Sequence, residues 1–184
     1  MRKRPILHPV RGHTREGKTI GPYSRGSGKG SQRVSRVVGN HSVIRDRVNK
    51  VWSSLMNAES TSVPLRFVAP DSTLGEEYRG KEGSVFATHD PYRSQISVIT
   101  WPGWSELTED EMAHILSHEL VELKTGEGAF NRRYGIKDTG PLWHISEKFD
   151  KVQLDVLKRA GYDWSADKFR RIQETTLEKM YGES

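Results

Sequence analysis

The strongest constraint on folding lies just past the middle of the chain, in TEDEMAHILSHELVELKTGEG. Thr108 followed three residues later by Glu111 is a capping box: each side chain satisfies a free amide at the start of a helix. That helix should run to about Lys124, before Gly126 and Gly128. At about 100° per residue, Met112, Leu116, Leu120 and Leu123 share one face. Four large apolar side chains in a row demand a partner layer, so the rest of the chain must supply one.

That layer is legible on both sides. Ile44, Val48, Val51, Trp52 and Leu55 recur at spacings of three and four, predicting a helix from about Asn40 that Pro64 ends. VPLRFVA (63–69), GSVFATH (83–89) and QISVIT (95–100) predict short strands, and the last two, separated by Pro91, can pair as a hairpin. Downstream, Ile145, Phe149, Val152, Val156 and Leu157 predict a helix closed by Gly161, and Phe169, Ile172, Leu177 and Met180 a final one. The expected fold is an α+β domain over residues 39–184. A small sheet of about three or more strands packs on the 108–124 helix, with further C-terminal helices. No internal repeat is visible, and 184 residues have room for one such domain plus a tail.

Residues 1–38 differ in kind. They carry ten Lys and Arg against one acidic residue, Glu16, a net of +9. The remaining 19 basic and 23 acidic residues give −4, which together recover the formal +5 of the whole chain. Rich in Gly and Pro and poor in large apolar groups, this segment cannot bury enough surface to offset its ordering entropy. It is expected to be an extended basic arm, with one small hairpin in HTREGKTI. Cations spaced by glycine can follow a phosphate backbone, so the expected partner is nucleic acid or another anionic or protein surface. Its VRGHTREGK stretch is similar to short basic modules of phage and mobile-element proteins. No run approaches the ~20 apolar residues of a membrane helix, and MRKRPILHPV lacks the apolar core of a signal peptide. The expected location is therefore a host cytoplasm or a virion, without a membrane. With no Cys, disulfides and thiolate metal sites are excluded, and any metal must be held by His, Asp and Glu.

On the 108–124 helix, Glu111, His114, His118 and Glu122 form a second stripe, away from the leucines. His118 and Glu122 are one turn apart and project side by side, so they can grip one ion. This is the geometry of the zinc-peptidase HExxH pattern with its last His replaced by a carboxylate, itself an acceptable zinc ligand. Glu119 lies between them, placed to activate a water. The same residues would also serve as the solvent face of an ordinary surface helix.

SHELVEL (117–123), with Thr125, Trp143 and the pair Glu147 and Asp150 downstream, resembles a group of zincin-like metallopeptidase domains whose motif is HExxE. The resemblance covers about 35 residues and departs at Gly126 and Glu127, where that group has Asp and Pro. It implies a zinc-dependent, peptidase-like hydrolase acting on a peptide substrate, with the metal on His118 and Glu122 and Glu119 as general base. The third ligand stays open among Glu127, Asp138, His144 and Glu147, with His114 on the same stripe. His144 would otherwise pack the start of the following helix beside Trp143. His89 is expected to be a turn residue, and Trp101 and Trp104 to cover the sheet edge. The alternative expectation is a non-enzymatic virion or nucleic-acid-associated protein with a degenerate domain of this kind.

Overall fold

A computed structural model of the chain describes residues 31–77, 86–137, 139–140 and 143–181. The expected hairpin in HTREGKTI and the candidate Asp138 lie outside these residues. The architecture is α+β, with six α-helices and one three-stranded mixed sheet among the described residues. None of the helices is long and apolar enough to cross a membrane.

Helix α1 spans Ser31–Glu59, starting nine residues before the expected Asn40. The Gly- and Pro-rich composition of the arm ends at Gly30, and nothing from Ser31 to Val38 interrupts helical backbone. Its Ile44, Val48, Val51, Trp52 and Leu55 are buried as the period requires. Trp52 Nε1 donates to the Val63 carbonyl at 2.9 Å, tying the helix to the chain entering the sheet.

Strands β1 (Leu65–Val68), β2 (Ala87–Asp90) and β3 (Gln95–Ile99) follow, with a short helix α2 (Thr73–Glu77) between the first two. The sheet order is β1-β3-β2, with β1 parallel and β2 antiparallel to the central strand. The β2–β3 hairpin closes over Asp90, whose Oδ1 accepts from the amides of Tyr92 and Arg93 at 3.0 and 3.1 Å. An aspartate bonding its own turn in this way fixes the hairpin register. Ala87 then faces Val98 and His89 faces Ile96. Trp101 and Trp104 are both buried in the core, and Trp104 Nε1 donates to the Ile99 carbonyl at 2.8 Å.

Helix α3 (Glu109–Lys124) sits at the centre, against α1, the sheet, and the C-terminal helices α5 (Glu147–Arg159) and α6 (Ala166–Tyr181). The capping box forms as expected: Thr108 Oγ1 accepts from the Glu111 amide at 3.2 Å, and the Thr108 amide donates to Glu111 Oε2 at 2.6 Å. Met112, Leu116 and Leu120 are fully buried and Leu123 partly so. Ala113, Ile115, Ser117 and Val121 are buried as well, so the helix is enclosed on more sides than its leucine face required.

A second polar anchor joins elements far apart in sequence. Glu59, at the end of α1, is buried and accepts from Arg133 Nη1 (2.9 Å) and the Tyr134 hydroxyl (2.5 Å), both on α4 (Gly128–Tyr134). It also accepts from Arg159 Nε on α5 at 3.2 Å. Three donors satisfy one buried carboxylate, the arrangement in which such a charge is tolerated.

Leu116 makes the packing testable. Its side chain is wholly enclosed, so Leu116→Ala should lower stability by roughly 2–5 kcal/mol in chemical denaturation. A loss below about half a kcal/mol would contradict the placement of this face.

Candidate metal centre

The last two turns of α3 remain partly open, and there the hairpin meets the helix. His89 alternates with Ala87 on the face of β2 that packs against α3. Its Nδ1 lies 3.2 Å from Glu119 Oε2 and 3.1 Å from Glu122 Oε2. His118 Nε2 lies 4.0 Å from the same Glu122 oxygen. Behind it, the His118 ring packs against Phe149 of α5 with centroids 4.8 Å apart. Glu122 Oε2 is thus the point on which two imidazoles from different elements converge.

His89, Glu119 and Glu122 form a group that could hold a metal ion, their ligand atoms all within 4.8 Å of one another. Ligands bound tetrahedrally at 2.0–2.1 Å stand about 3.3 Å apart. The distances from His89 to both carboxylates already match that spacing. Nothing in the donor set distinguishes zinc from another divalent ion.

The electrostatics follow from the same geometry. Hydrogen bonds to Glu119 and then Glu122 push the His89 pKa up to about 10, against the opposing effect of burial. Without an ion, a His89 imidazolium therefore offsets one of the two carboxylate charges. For Glu122, burial acts to raise the pKa, but the His89 hydrogen bond and the charges of His118, His89 and His144 hold it below its ordinary value. The imidazole proton and a metal cation would therefore compete for the His89 nitrogen, and the imidazolium and the cation for the same carboxylate oxygens.

Of the residues singled out from sequence, Glu119 and Glu122 come together with His89, which lies 30 residues upstream of Glu119, while His118 stands outside that group, 4.0 Å from Glu122. His144 is exposed in the middle of the turn Trp143–Ile145, close enough for its charge to act on Glu122. Glu147 is exposed at the start of α5, where its charge acts on Asp150. Neither lies within the three-residue group. Glu127 is exposed and pairs with Lys124 at 3.0 Å.

His114 goes elsewhere. It is 6% exposed, its ring tilted against Phe169 of α6 at 5.2 Å. Helix α6 covers the first turns of the stripe, taking Glu111 and His114 out of solvent while leaving His118 and Glu122 accessible. Glu111 there pairs with Lys179 at 2.8 Å. His114 Nε2 is buried without a hydrogen-bond partner among the described residues.

His89 was the residue that sequence reasoning missed. The signal is present but faint: in FATHD, Ala87 and His89 alternate toward the face that Ile96 and Val98 share, and both of those residues are buried.

Burial, and secondarily the charge of His118, pushes the His114 pKa down to about 3. Unfolded, it should titrate near 6.5. Between these values the unfolded chain binds a proton that the folded one refuses, so stability rises with pH across that window and is lost on acidification. In EDTA, the native chain should lose about 2 kcal/mol more than His114→Leu between pH 7.5 and pH 5. Parallel losses in urea denaturation would show that His114 is not held neutral.

Comparison of the chain with protein-family models, with curated proteins and with solved structures finds no match.

Proposed function

We propose that the chain is a metal-dependent hydrolase of the zinc-peptidase type, acting on an amide bond. Support comes above all from the convergence of His89 and His118 on Glu122, at 3.1 and 4.0 Å, with Glu119 beside them. In this reading His89, His118 and Glu122 hold zinc, a two-histidine, one-carboxylate set of the sort used by hydrolytic zinc sites. The ion would supply a Lewis acid that polarises the scissile carbonyl. Glu119 acts as the general base, taking a proton from the attacking water and delivering it to the leaving amine. Without an ion, that same His89 nitrogen holds Glu119 at 3.2 Å, and binding the ion would release the Glu119 carboxylate for proton transfer. Phe149 supports the His118 ring from behind.

The roles separate by substitution. His118→Ala and His89→Ala should each abolish stoichiometric zinc binding, measured by elemental analysis after dialysis. Glu119→Gln should keep the zinc and lose hydrolysis of a peptide mixture by at least a hundredfold. If Glu119→Gln lost the metal as completely as His118→Ala, Glu119 would be a ligand and not the base.

The charge distribution favours a second reading, compatible with the first: that the protein also attaches to nucleic acid through its basic N-terminal segment, as a virion or nucleic-acid-associated protein would. Residues 1–38 carry a net +9 on a chain whose remainder is −4. Each duplex phosphate neutralised adds about −0.9 to the slope of log affinity against log salt. Removing residues 1–30 takes away eight Lys and Arg while leaving α1 whole. If five of the eight engage duplex DNA, the intact chain should lose roughly three orders of magnitude in affinity over a fivefold rise in salt. The shortened chain should scarcely bind. Binding that survives the deletion, or ignores salt, would overturn the reading.

A further inference from the structure

One aromatic ring away from His118 lies a concavity of about 380 Å³, between the end of α4 and the first turns of α5. The Trp143 ring forms one wall, 5.8 Å from Phe149, which itself packs on His118. Trp143 Nε1 donates to Thr125 Oγ1 at 3.2 Å, which holds that wall against the end of α3. Ile136 and Val152 add apolar surface. Around this lining stand Lys137, Lys148 and Lys151, all exposed, with Asp155 as the single acidic residue.

These lysines differ from most others on the described body, although Lys158, which does not line the concavity, is likewise without an ion pair. Lys50, Lys124, Lys168 and Lys179 each pair with a carboxylate at 2.8–3.0 Å. Lys137, Lys148 and Lys151 make no ion pair among the described residues. Three unneutralised ammonium groups around one apolar concavity, on a body of net negative charge, form a complement to a carboxylate on an apolar stem. The volume is at the small end of ligand pockets, which run to ~300–1,000 Å³. A half-open concavity of this size fits one or two side chains. A nucleic-acid strand would call instead for a row of cations along its backbone and a platform for its bases.

We propose that this concavity is a specificity pocket that takes an acidic side chain of a peptide, the methylenes against Trp143, Ile136 and Val152 and the carboxylate among the three lysines. That the captured peptide is a substrate, cut one or a few residues away at the metal centre, rests on the hydrolase reading above. Capture itself does not.

The test uses the full-length chain in EDTA and a pair of fluorescein-labelled peptides that differ only in Glu against Gln, with affinity read by anisotropy. The native chain should bind the Glu peptide at least tenfold more tightly. The double variant Lys148→Glu, Lys151→Glu keeps the basic N-terminal segment and should reverse the preference, favouring a matched Lys peptide. Circular dichroism checks that the variant is folded, and the milder Lys148→Ala, Lys151→Ala should cancel the preference without reversing it. Equal affinity for the two peptides overturns the pocket. So does a preference that persists in both variants, which would assign it to the N-terminal cations. Displacement of the Glu peptide by a single-stranded DNA oligomer, lost with the same lysines, would overturn it in favour of nucleic acid. Lysine-dependent capture without hydrolysis when zinc is restored would keep the pocket and refute the hydrolase; hydrolysis indifferent to Glu would do the reverse.

Discussion

The first turn of α3 is the point from which the rest of the molecule is positioned. Its free amides are closed by Thr108 and Glu111, and the same Glu111 carboxylate receives Lys179 from the far end of α6. Arg47 of α1 donates to the Leu107 carbonyl at 2.5 Å, just before the cap, and Lys50 pairs with Glu109. Lys168 of α6 reaches Asp110. Acidic side chains suit a helix N-terminus because of its dipole, and here they serve also as docking points for cations from two other helices. A single turn therefore sets the angle at which α1 and α6 lie on α3, and with it which residues of α3 stay uncovered.

What stays uncovered is a short reach near the other end, and its chemistry depends on two elements that share no local sequence. The helix contributes His118, Glu119 and Glu122. The hairpin contributes His89, held in register by Asp90. Two carboxylates this close would repel, and the histidine between them offsets that repulsion while leaving an oxygen of each within reach of a cation. Burial is only partial, so the electrostatic cost stays modest and the cluster remains accessible from outside.

Much of this was legible in sequence, where the cause was local. The capping box, the leucine face and the Asn40–Leu55 period each depend on residues a turn apart, and each formed. The hairpin followed from alternation around Pro91. Elsewhere the determining contact was remote. Nothing within α3 distinguishes His114 from His118; what separates them is α6, whose Phe169 lies 55 residues beyond His114 in the chain. His89 looked like a turn residue because Asp90 and Pro91 follow it, and its true orientation needs the pairing with β3. Helix α1 begins well before its buried face does, because helical backbone can extend beyond the side chains it buries.

The hairpin register has a consequence for how this protein can change over evolutionary time. Side chains of a strand alternate between faces, so one residue inserted or deleted between Phe86 and Asp90 turns whatever occupies position 89 to the opposite side. A surface strand of four residues would ordinarily tolerate such length variation well. Here it does not, because a one-residue slip would leave Glu119 and Glu122 facing each other with no imidazole between them. Length can vary freely only where it leaves that alternation intact, at the tip from Pro91 to Ser94 or ahead of Phe86, so insertions and deletions in related chains should gather there and spare the strand.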